Sequence, residues 1–346
     1  MREALRDVDF FWVEKYRPRS FEQILGQHIV KIQLQRIVAT KNVPNLLFFG
    51  PPGTGKSSAA EIVARKLFGD AWEGNFAEIN AADIFQQGRK YLEASRSLAR
   101  FYDERKGVLD NFKLIMNRLA GIAPLAAPYR LLFINEADAL TLDAQQALRR
   151  IIERYNRTCK FILTTTRPAQ IIVPIRSRCL PLHFTQLPAE ATLDFLRQTA
   201  AAEGHVLSDG VGHSIAQLSQ GNLRTALTLL QLVADHKFSA NPLDVSELAA
   251  RAQPDGVSEL LELALHNDTA QARHVLDRLL LETGLSGAEI IAQMRIQAKN
   301  SSLTEKSLAQ LLVLLGYADY ALLDALNERI HLEALIYNIA STLAPD

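Results

Sequence analysis

The sequence reads Gly50-Pro51-Pro52-Gly53-Thr54-Gly55-Lys56-Ser57 (GPPGTGKS) at the point where the apolar run 45–49 ends and a helical pattern over 58–68 begins. Glycines in such a loop let backbone N–H groups turn toward phosphate oxygens at a helix N-terminus, where the dipole also favours negative charge. A lysine and a hydroxyl at its end reach the β- and γ-phosphates and a Mg²⁺ ion. The stretch therefore predicts a nucleoside-triphosphate site formed by Gly50 to Ser58.

Composition sets further limits. The 346 residues suffice for two or three domains, and 38 basic and 38 acidic residues leave a formal net charge of +0. A neutral chain has no global attraction for nucleic acid, so DNA contact must depend on local asymmetry. The only cysteines, Cys159 and Cys179, exclude a disulfide framework and a cysteine-based zinc site, and they fit a reducing compartment. Without a signal-peptide or membrane-spanning pattern, we expect an intracellular, soluble protein.

Strand and helix patterns alternate up to about residue 186. Strands are predicted at 45–49, 76–79, 131–134 and 161–165, and the apolar run 131–134 is typical of a strand covered on both faces. Helices are predicted at 21–40, 58–68, 83–103 and 108–119, with a loop at 121–128 and a further helix after an N-cap at Thr141. The first of these helices has its apolar positions at Ile29, Ile32, Leu34 and Val38. Alternation of this kind indicates an α/β fold with a parallel sheet.

No strand pattern remains beyond Pro188. Residues 189–236 predict two or three helices, Pro242 marks a break, and 245–343 is rich in leucine and alanine with helical character. We therefore expect three domains: an α/β nucleotide-binding domain at 1–186, a small helical domain at 187–243 and a helical domain at 244–346.

Six motifs together resemble one family. They are Trp12–Pro18 (WVEKYRP), Gly50–Ser57, Ile134–Asp138 (INEAD), Gln145–Arg150 (QQALRR), Ile171–Cys179 (IIVPIRSRC) and Gly221–Ala226 (GNLRTA). The set is similar to the small subunit of replication factor C, the sliding-clamp loader of archaea and eukaryotes within the AAA+ ATPases. The Ser-Arg-Cys triplet at 177–179 is specific to clamp loaders within that superfamily, and WVEKYRP and QQALRR are nearly as telling.

This resemblance implies a RecA-like AAA+ domain, a helical lid, and a collar domain that assembles subunits into a pentameric ring. It implies an ATP- and Mg²⁺-dependent activity that opens a sliding clamp and loads it onto primer–template DNA in replication and repair. The implied partners are the clamp, a large subunit, other small subunits and DNA, and no membrane. The location would be the cytoplasm or nucleoid if the chain is archaeal, and the nucleus if it is eukaryotic.

The resemblance also implies roles for nucleotide-binding residues. Residues that match a segment near the adenine are Tyr16, Arg17 and Pro18. Residues that match holders of phosphate and metal are Gly53, Gly55, Lys56 and Ser57, and Asn135 stands at the position of a second metal ligand.

Three further residues match groups that act on the γ-phosphate. Glu136 corresponds to the carboxylate that polarises the attacking water, and Arg224 to a lid arginine that senses the nucleotide. Arg178 corresponds to an arginine finger that reaches the nucleotide of the neighbouring subunit, where such a group contributes roughly 10³-fold or more in rate.

Two positions depart from the family pattern. The family's second acidic motif ends in Asp-Glu, whereas this chain has Asn135-Glu136, and asparagine keeps an oxygen for Mg²⁺ but removes the charge. Thr166 stands where the family usually carries a water-positioning asparagine, and its hydroxyl offers one donor instead of two. Our hypothesis is that the chain binds ATP but hydrolyses it slowly while it donates Arg178 to a neighbour. A structural subunit with little hydrolysis of its own, or another AAA+ DNA remodeller, remain alternatives.

Local basic clusters suggest partners. Within the predicted helix 83–103, Arg89, Arg96 and Arg100 share one side and Lys90 lies beside them, which fits either a solvated face or contacts to duplex phosphates. The segment 149–178 holds eight basic residues against Glu153 alone, which favours an interface with phosphate, from DNA or from a neighbour's nucleotide. Compared with the family, the chain has a surplus of about twenty residues within 101–129. The surplus fits a helical insertion that contacts DNA, the clamp or neither, and surface elaboration is the preferred interpretation. The helix end at Ile151, Ile152 and Tyr155 matches the family's clamp contact, although packing is the default for Ile152.

Overall fold

The computed structural model describes residues 11–95, 98–235, 256–281, 285–300, 303–322, 325 and 327–343. The chain divides into two compact units, residues 1–245 and 246–346. The first unit contains a sheet with helices on both faces and then three further helices, whereas the described part of the second is helical.

The first unit is built around a five-stranded sheet. Its strands are β1 (Leu46–Phe49), β2 (Phe76–Asn80), β3 (Arg130–Asn135), β4 (Cys159–Thr165) and β5 (Leu180–His183). Every pairing is parallel, and the spatial order is β2-β3-β4-β1-β5. Parallel strands need crossover connections, usually helices, on the faces of the sheet. Two helices, α1 (Trp12–Lys15) and α2 (His28–Thr40), precede β1. The connections between the strands contain α3 (Lys56–Phe68), α4 (Trp72–Asn75), α5 (Arg89–Ala94), α6 (Val108–Gly121), α7 (Leu142–Tyr155) and α8 (Val173–Arg176).

Two hydrophobic clusters cover the two faces of this sheet. Leu132 and Ile134 of β3 belong to the cluster that includes α6 and α7. Leu131 and Phe133 of the same strand belong to the opposite cluster, which includes α2 and α3. Because successive side chains of a strand point to opposite faces, a strand buried on both sides is apolar throughout. The predicted parallel α/β architecture is confirmed.

The remaining helices complete the two units. The described part of the first unit ends with α9 (Ala189–Ala202), α10 (Asp209–Ser219) and α11 (Leu223–Asp235). The second has a core of its own, formed by residues such as Leu260, Leu276, Leu311 and Ile336. Its helices are α12 (Gly256–Leu265), α13 (Thr269–Leu281), α14 (Gly287–Asn300), α15 (Glu305–Leu322) and α16 (Glu328–Leu343).

The helix predicted over 21–40 is wrong in its first third. Gly26 and Gln27 adopt left-handed backbone angles, so α2 begins only at His28. The side chain of Gln27 is committed elsewhere, because its Nε2 donates to the carbonyl of Thr185 at 2.7 Å and its Oε1 accepts the Thr185 N–H at 2.9 Å. The buried face also differs from the predicted apolar positions. Helix α2 buries Val30 and Leu34, whereas Ile29 and Ile32 are exposed.

The single helix predicted over 83–103 is also wrong. The described chain here forms a π-helical turn (Asp83–Gln87), α5 and a 3₁₀ turn (Ala99–Phe101). Gly88 separates the first two, with φ 62° and ψ −130°, a conformation available almost only to glycine. Arg89 and Lys90 therefore lie on α5, Arg100 lies beyond its end, and Arg96 lies outside the described residues. The shared helix face predicted for these arginines does not form.

Helix α6 corrects the interpretation of 101–129 as surface elaboration. Its residues Phe112, Ile115, Met116 and Leu119 are buried in the core against the sheet. The short, irregular helical segments lie before it, between residues 83 and 101.

Strand β5 is the element that the sequence pattern misses. It is four residues long, contains Pro181 and pairs only with β1 at the edge of the sheet. Proline is tolerated there because an edge strand leaves one side of its backbone unpaired. A short strand with an interior proline carries little pattern to detect.

The chain before α6 is held by one buried amide, and its loss should loosen this segment. Asn111 has no exposed surface; its Nδ2 donates to the carbonyls of Asp103 at 2.9 Å and Lys106 at 3.1 Å, and its Oδ1 accepts the Asp103 N–H at 2.8 Å. We expect Asn111→Ala to cost about 2 kcal/mol or more, because buried groups lose their partners. Thermal unfolding and proteolytic cleavage rates between residues 98 and 107 measure this.

Asn117→Ala is the matched control on the same helix. The Asn117 amide donates one bond, to the Lys113 carbonyl, from a half-buried position, so it should cost less than about 1 kcal/mol. Equal effects of the two substitutions would contradict the role given to Asn111.

Candidate nucleotide-binding site

The phosphate-binding loop leaves the carboxyl end of β1 and enters the N-terminus of α3. Gly50 and Gly53 have φ of 143° and 70°, outside the range that other residues readily adopt. A Cβ atom on Gly50 would lie 2.0 Å from the backbone oxygen of Phe184, so the next strand leaves room only for glycine. Helix α3 begins at Lys56, two residues earlier than predicted, which places the positive end of its dipole at the loop.

Lys56 is the buried cation of this loop. Its Nζ donates to the carbonyls of Gly50 at 2.8 Å and Pro51 at 2.5 Å. Burial lowers the pKa of Lys56 to about 8, and the charge of Asp138 opposes that change. An anion near Nζ would offset the desolvation, so the loop is built to receive negative charge.

Other loop residues support the backbone instead of lining the cleft. Thr54 is buried and its Oγ1 donates to the carbonyl of Pro51 at 2.9 Å. The cleft itself is lined by Pro52, Gly53, Gly55, Lys56, Ser57 and Ser58, and not by Gly50, Pro51 or Thr54.

A hydrogen-bonded chain joins the loop to the ends of β3 and β4. The Oδ1 of Asn135 accepts from Ser57 Oγ at 3.3 Å and from Thr164 Oγ1 at 2.6 Å. The same Thr164 hydroxyl accepts the backbone N–H of Glu136 at 3.2 Å. Thr164 is therefore a functional residue that sequence reasoning missed. Its signal was weak, since it is one of three successive threonines and only their order along β4 distinguishes them.

Glu136 directly follows β3 and belongs to this series of hydrogen bonds through its backbone N–H. It has a left-handed φ of 53°, an uncommon angle for a non-glycine residue, and its side chain lines the cleft with Thr166 and Arg224. Burial raises the pKa of its carboxyl, with further contributions from the charges of Asp138 and Asp83, while Arg224 opposes the rise. Acid, hydroxyl and guanidinium therefore converge beside Lys56.

The opposite wall combines the N-terminal segment with helices α9 and α11. Tyr16, Arg17 and Pro18 line it together with Phe195, Leu223, Arg224 and Leu227. The segment is tied to those helices, because Glu203 accepts the Tyr16 hydroxyl and pairs with Lys15 Nζ at 2.7 Å. Burial and Glu203 raise the pKa of Tyr16 to about 12. The apolar end of the cleft suits a nucleobase, and the polar end suits phosphates.

Arg178 does not line this cleft. Its Nη2 pairs with Glu153 Oε1 at 2.7 Å, its Nη1 donates to the Pro174 carbonyl at 2.8 Å, and its own carbonyl accepts a bond from Asn45. Asn45 precedes β1, whereas the phosphate loop follows β1. The two groups therefore lie at opposite ends of β1, separated by the length of that strand, roughly 13 Å.

The residues predicted for DNA and clamp contact lie away from the cleft. Arg89, Lys90 and Arg100 are exposed. Of the helix end matched to clamp contact, Ile151 and Ile152 are buried in the core, which assigns them to packing, and Tyr155 is half-buried.

The donor set at the end of β3 fits a hard divalent cation. Ser57 Oγ and Asn135 Oδ1 are neighbouring oxygens, and oxygens are the ligands that Mg²⁺ prefers. Among the described residues, no group of three histidine, cysteine or acidic side chains forms a metal cluster. Nor does any helix in that part of the chain have the length and apolar character to cross a membrane.

Comparisons with known proteins agree with this geometry. Residues 46–186 match the ATPase family associated with various cellular activities (AAA), and residues 252–338 match the replication factor C C-terminal domain. The fold resembles a Thermotoga maritima RuvB structure, with a TM-score of 0.52 and 18% identity over 78% of this chain and 91% of that one. It also resembles Aeropyrum pernix Orc1, with a TM-score of 0.52 and 22% identity over 83% of each chain. Identities this low show the fold alone.

Sequence relatives identify the family. The replication factor C small subunit of Archaeoglobus fulgidus is 37% identical over 334 residues, which cover 96% of this chain and 98% of the relative. That of Methanosarcina acetivorans is also 37% identical, over 95% of this chain and 94% of the relative. The chain belongs to the replication factor C small subunits, clamp-loader ATPases of the AAA+ class.

Proposed function

We propose that this chain binds ATP with Mg²⁺ and acts within a pentameric ring that opens a sliding clamp and loads it onto primer–template DNA. The ring would contain a large subunit and other small subunits. The observation that carries the proposal is the division of the catalytic groups. Lys56, Glu136 and Arg224 share one cleft at the carboxyl end of β1, whereas Arg178 lies near the amino end of the same strand. A nucleotide site of this kind is completed by the arginine of an adjacent protomer.

Within the cleft each residue has a distinct task. Lys56 and the loop N–H groups hold the β- and γ-phosphates, Ser57 and Asn135 hold Mg²⁺, and Glu136 orients the attacking water. The bound Mg²⁺ supplies neutralisation of phosphate charge. Tyr16, Arg17 and Pro18 hold the base end, while Arg224 joins the lid to the phosphates. In this proposal 1–186 is the AAA+ domain, 187–243 the lid and 244–346 the collar.

The exposed apolar side chains support assembly. On α15, Val313, Tyr317 and Tyr320 are 57%, 72% and 77% exposed, at spacings of four and three that place them on one face of the helix. Beside Arg178, Val173 is also exposed. Apolar faces of this kind favour contacts with adjacent subunits, from the collar and from the AAA+ domain.

Basic side chains support the DNA contact. Arg89, Lys90 and Arg100 are exposed, and none forms an ion pair within the part of the chain that the structure describes. We propose that they contact backbone phosphates, which are read without sequence preference. Arg96 would join them, although it lies outside the described residues.

Reconstitution tests the function. The chain should co-purify with the large subunit and the sliding clamp, and the assembly should hydrolyse ATP faster with clamp and primed DNA than with either alone. Strong dependence of the DNA stimulation on salt would fit phosphate contacts. Stimulation by DNA without any response to the clamp would instead favour another AAA+ DNA remodeller.

The proposed role of Arg178 as an arginine finger predicts which nucleotide site loses hydrolysis when it is substituted. Arg178→Ala in this chain should lower hydrolysis at the neighbour's nucleotide by roughly 10³-fold and leave ATP binding in its own cleft unchanged. Hydrolysis at each site can be isolated by disabling the phosphate-loop lysine of the other subunits.

Arg176→Ala is the control for this prediction. Arg176 is exposed at the end of α8, two residues before Arg178, and should have little effect. A loss confined to the chain's own site after Arg178→Ala would contradict a finger that acts in trans.

The neutral Asn135 and the short Thr166 support slow hydrolysis in this chain's own cleft. Both line the cleft, and both weaken the hydrolytic half of the site while the phosphate loop stays complete. We therefore propose a subunit that binds ATP firmly and turns it over slowly.

Restoring the family residues tests this proposal. Asn135→Asp with Thr166→Asn should raise single-turnover hydrolysis in this cleft by about tenfold or more, because a carboxylate holds Mg²⁺ more firmly and an amide offers a second donor. ATP affinity is the control and should change little. Turnover in the unsubstituted cleft that equals turnover at neighbouring sites would refute the idea.

A further inference from the structure

One buried carboxylate beside the cleft has no role in the mechanism above. Asp138 lies in the 3₁₀ turn Ala137–Ala139, two residues after Glu136, and its side chain is 7% exposed. Its Oδ2 pairs with Arg167 Nε at 3.1 Å. Its Oδ1 is buried and has no hydrogen-bond partner among the described residues. Burial of an unpartnered carboxylate oxygen is costly, so a nearby positive charge is needed to offset it.

Asp138 lies next to the nucleotide site. Its turn follows Asn135 and Glu136 at the end of β3, and its partner Arg167 directly follows Thr166, which lines the cleft. Asp138 does not itself line the cleft, so it acts on the site through space instead of by contact. In a buried setting such interactions are screened less than those between exposed charges.

The protein ligands available to a divalent cation are uncharged. Ser57 offers a hydroxyl and Asn135 an amide oxygen, whereas Mg²⁺ favours anionic oxygens. We propose that Asp138 supplies, from behind the cleft, the negative charge that Asn135 lacks for retention of the divalent cation, and that Arg167 attenuates it. The inference rests on the proposed binding of ATP with Mg²⁺.

Arg167 is suited to attenuation and not to full neutralisation. Its side chain is 64% exposed, so water screens its charge, and its ion pair engages one of the two carboxylate oxygens. Arg167 directly follows Thr166, so the pair also links the end of β4 to the turn after β3. Asp138 is thus a positioning residue for the cation and not one of its ligands.

Substitutions of Asp138 and of Arg167 should have opposite effects on the affinity for the divalent cation. With a non-hydrolysable ATP analogue bound, Mn²⁺ affinity can be measured by electron paramagnetic resonance. Asp138→Asn keeps the shape and removes the charge, and should weaken Mn²⁺ binding about fourfold. Arg167→Gln should strengthen it about twofold. Without metal, Asp138→Asn should bind the analogue as well as the unsubstituted chain or slightly better, because one negative charge near the phosphates is gone.

Two further variants test whether the effect is specific to Asp138 and to the missing ligand charge. Asp209→Asn removes a carboxylate from the Asp209–Arg197 ion pair of 2.9 Å on helices α9 and α10, and should leave Mn²⁺ affinity unchanged. In an Asn135→Asp background the effect of Asp138→Asn should shrink, because a carboxylate at the ligand position already supplies the charge.

The outcomes separate this inference from the proposed function. Normal binding of the analogue with unchanged Mn²⁺ affinity in Asp138→Asn would overturn the role of Asp138 alone. So would equal weakening by Asp138→Asn and Arg167→Gln together with weaker metal-free binding, since that pattern marks a pair that only holds the loop. Failure of the unsubstituted chain to bind the analogue would overturn the proposed function itself.

Discussion

The parallel alignment of β1, β3 and β4 is the constraint on which the site depends. Neighbouring parallel strands have their carboxyl ends on the same side of the sheet. The phosphate loop, Asn135 and Thr164 therefore meet there, although they are far apart in the chain. The Asn135 amide oxygen then joins the three segments, since it accepts from Ser57 and from Thr164. The Thr164 hydroxyl also accepts the N–H of Glu136. The left-handed backbone of Glu136 is held in this way by the strand beside it.

The same alignment keeps Arg178 away from the nucleotide of its own chain. It follows α8 and lies at the amino end of β1, one strand length from the phosphate loop. In the separate chain its guanidinium rests on Glu153, and both side chains are about 40% exposed. An exposed pair of this kind contributes about 0–1 kcal/mol, so a phosphate group with several negative charges can displace it easily. This placement is the basis for the proposal that Arg178 acts on the nucleotide of an adjacent protomer.

Charged and apolar groups lie at different ends of the cleft. Lys56 is buried among carbonyls, and the oxygens of Ser57 and Asn135 beside it are uncharged. Glu136 and Asp138 follow the end of β3. The apolar end is instead bounded by an N-terminal segment that is tied to Glu203, at the end of α9, and to Gln231 of α11. The apolar and polar ends of the cleft are therefore formed by different parts of the unit.

The sequence by itself determined the α/β class, the phosphate loop, the doubly buried strand β3 and the N-cap of α7 at Thr141, because each depends on local spacing or on a few residue types. Only the tertiary structure decided where helices stop at left-handed residues such as Gln27, and that the edge strand β5 exists. It alone showed that Thr164 bridges Asn135 and Glu136, and that one oxygen of the buried Asp138 carboxylate has no hydrogen-bond partner in the described part of the chain. Such features depend on which strands lie side by side, and pairings between distant segments leave no periodic trace in the chain.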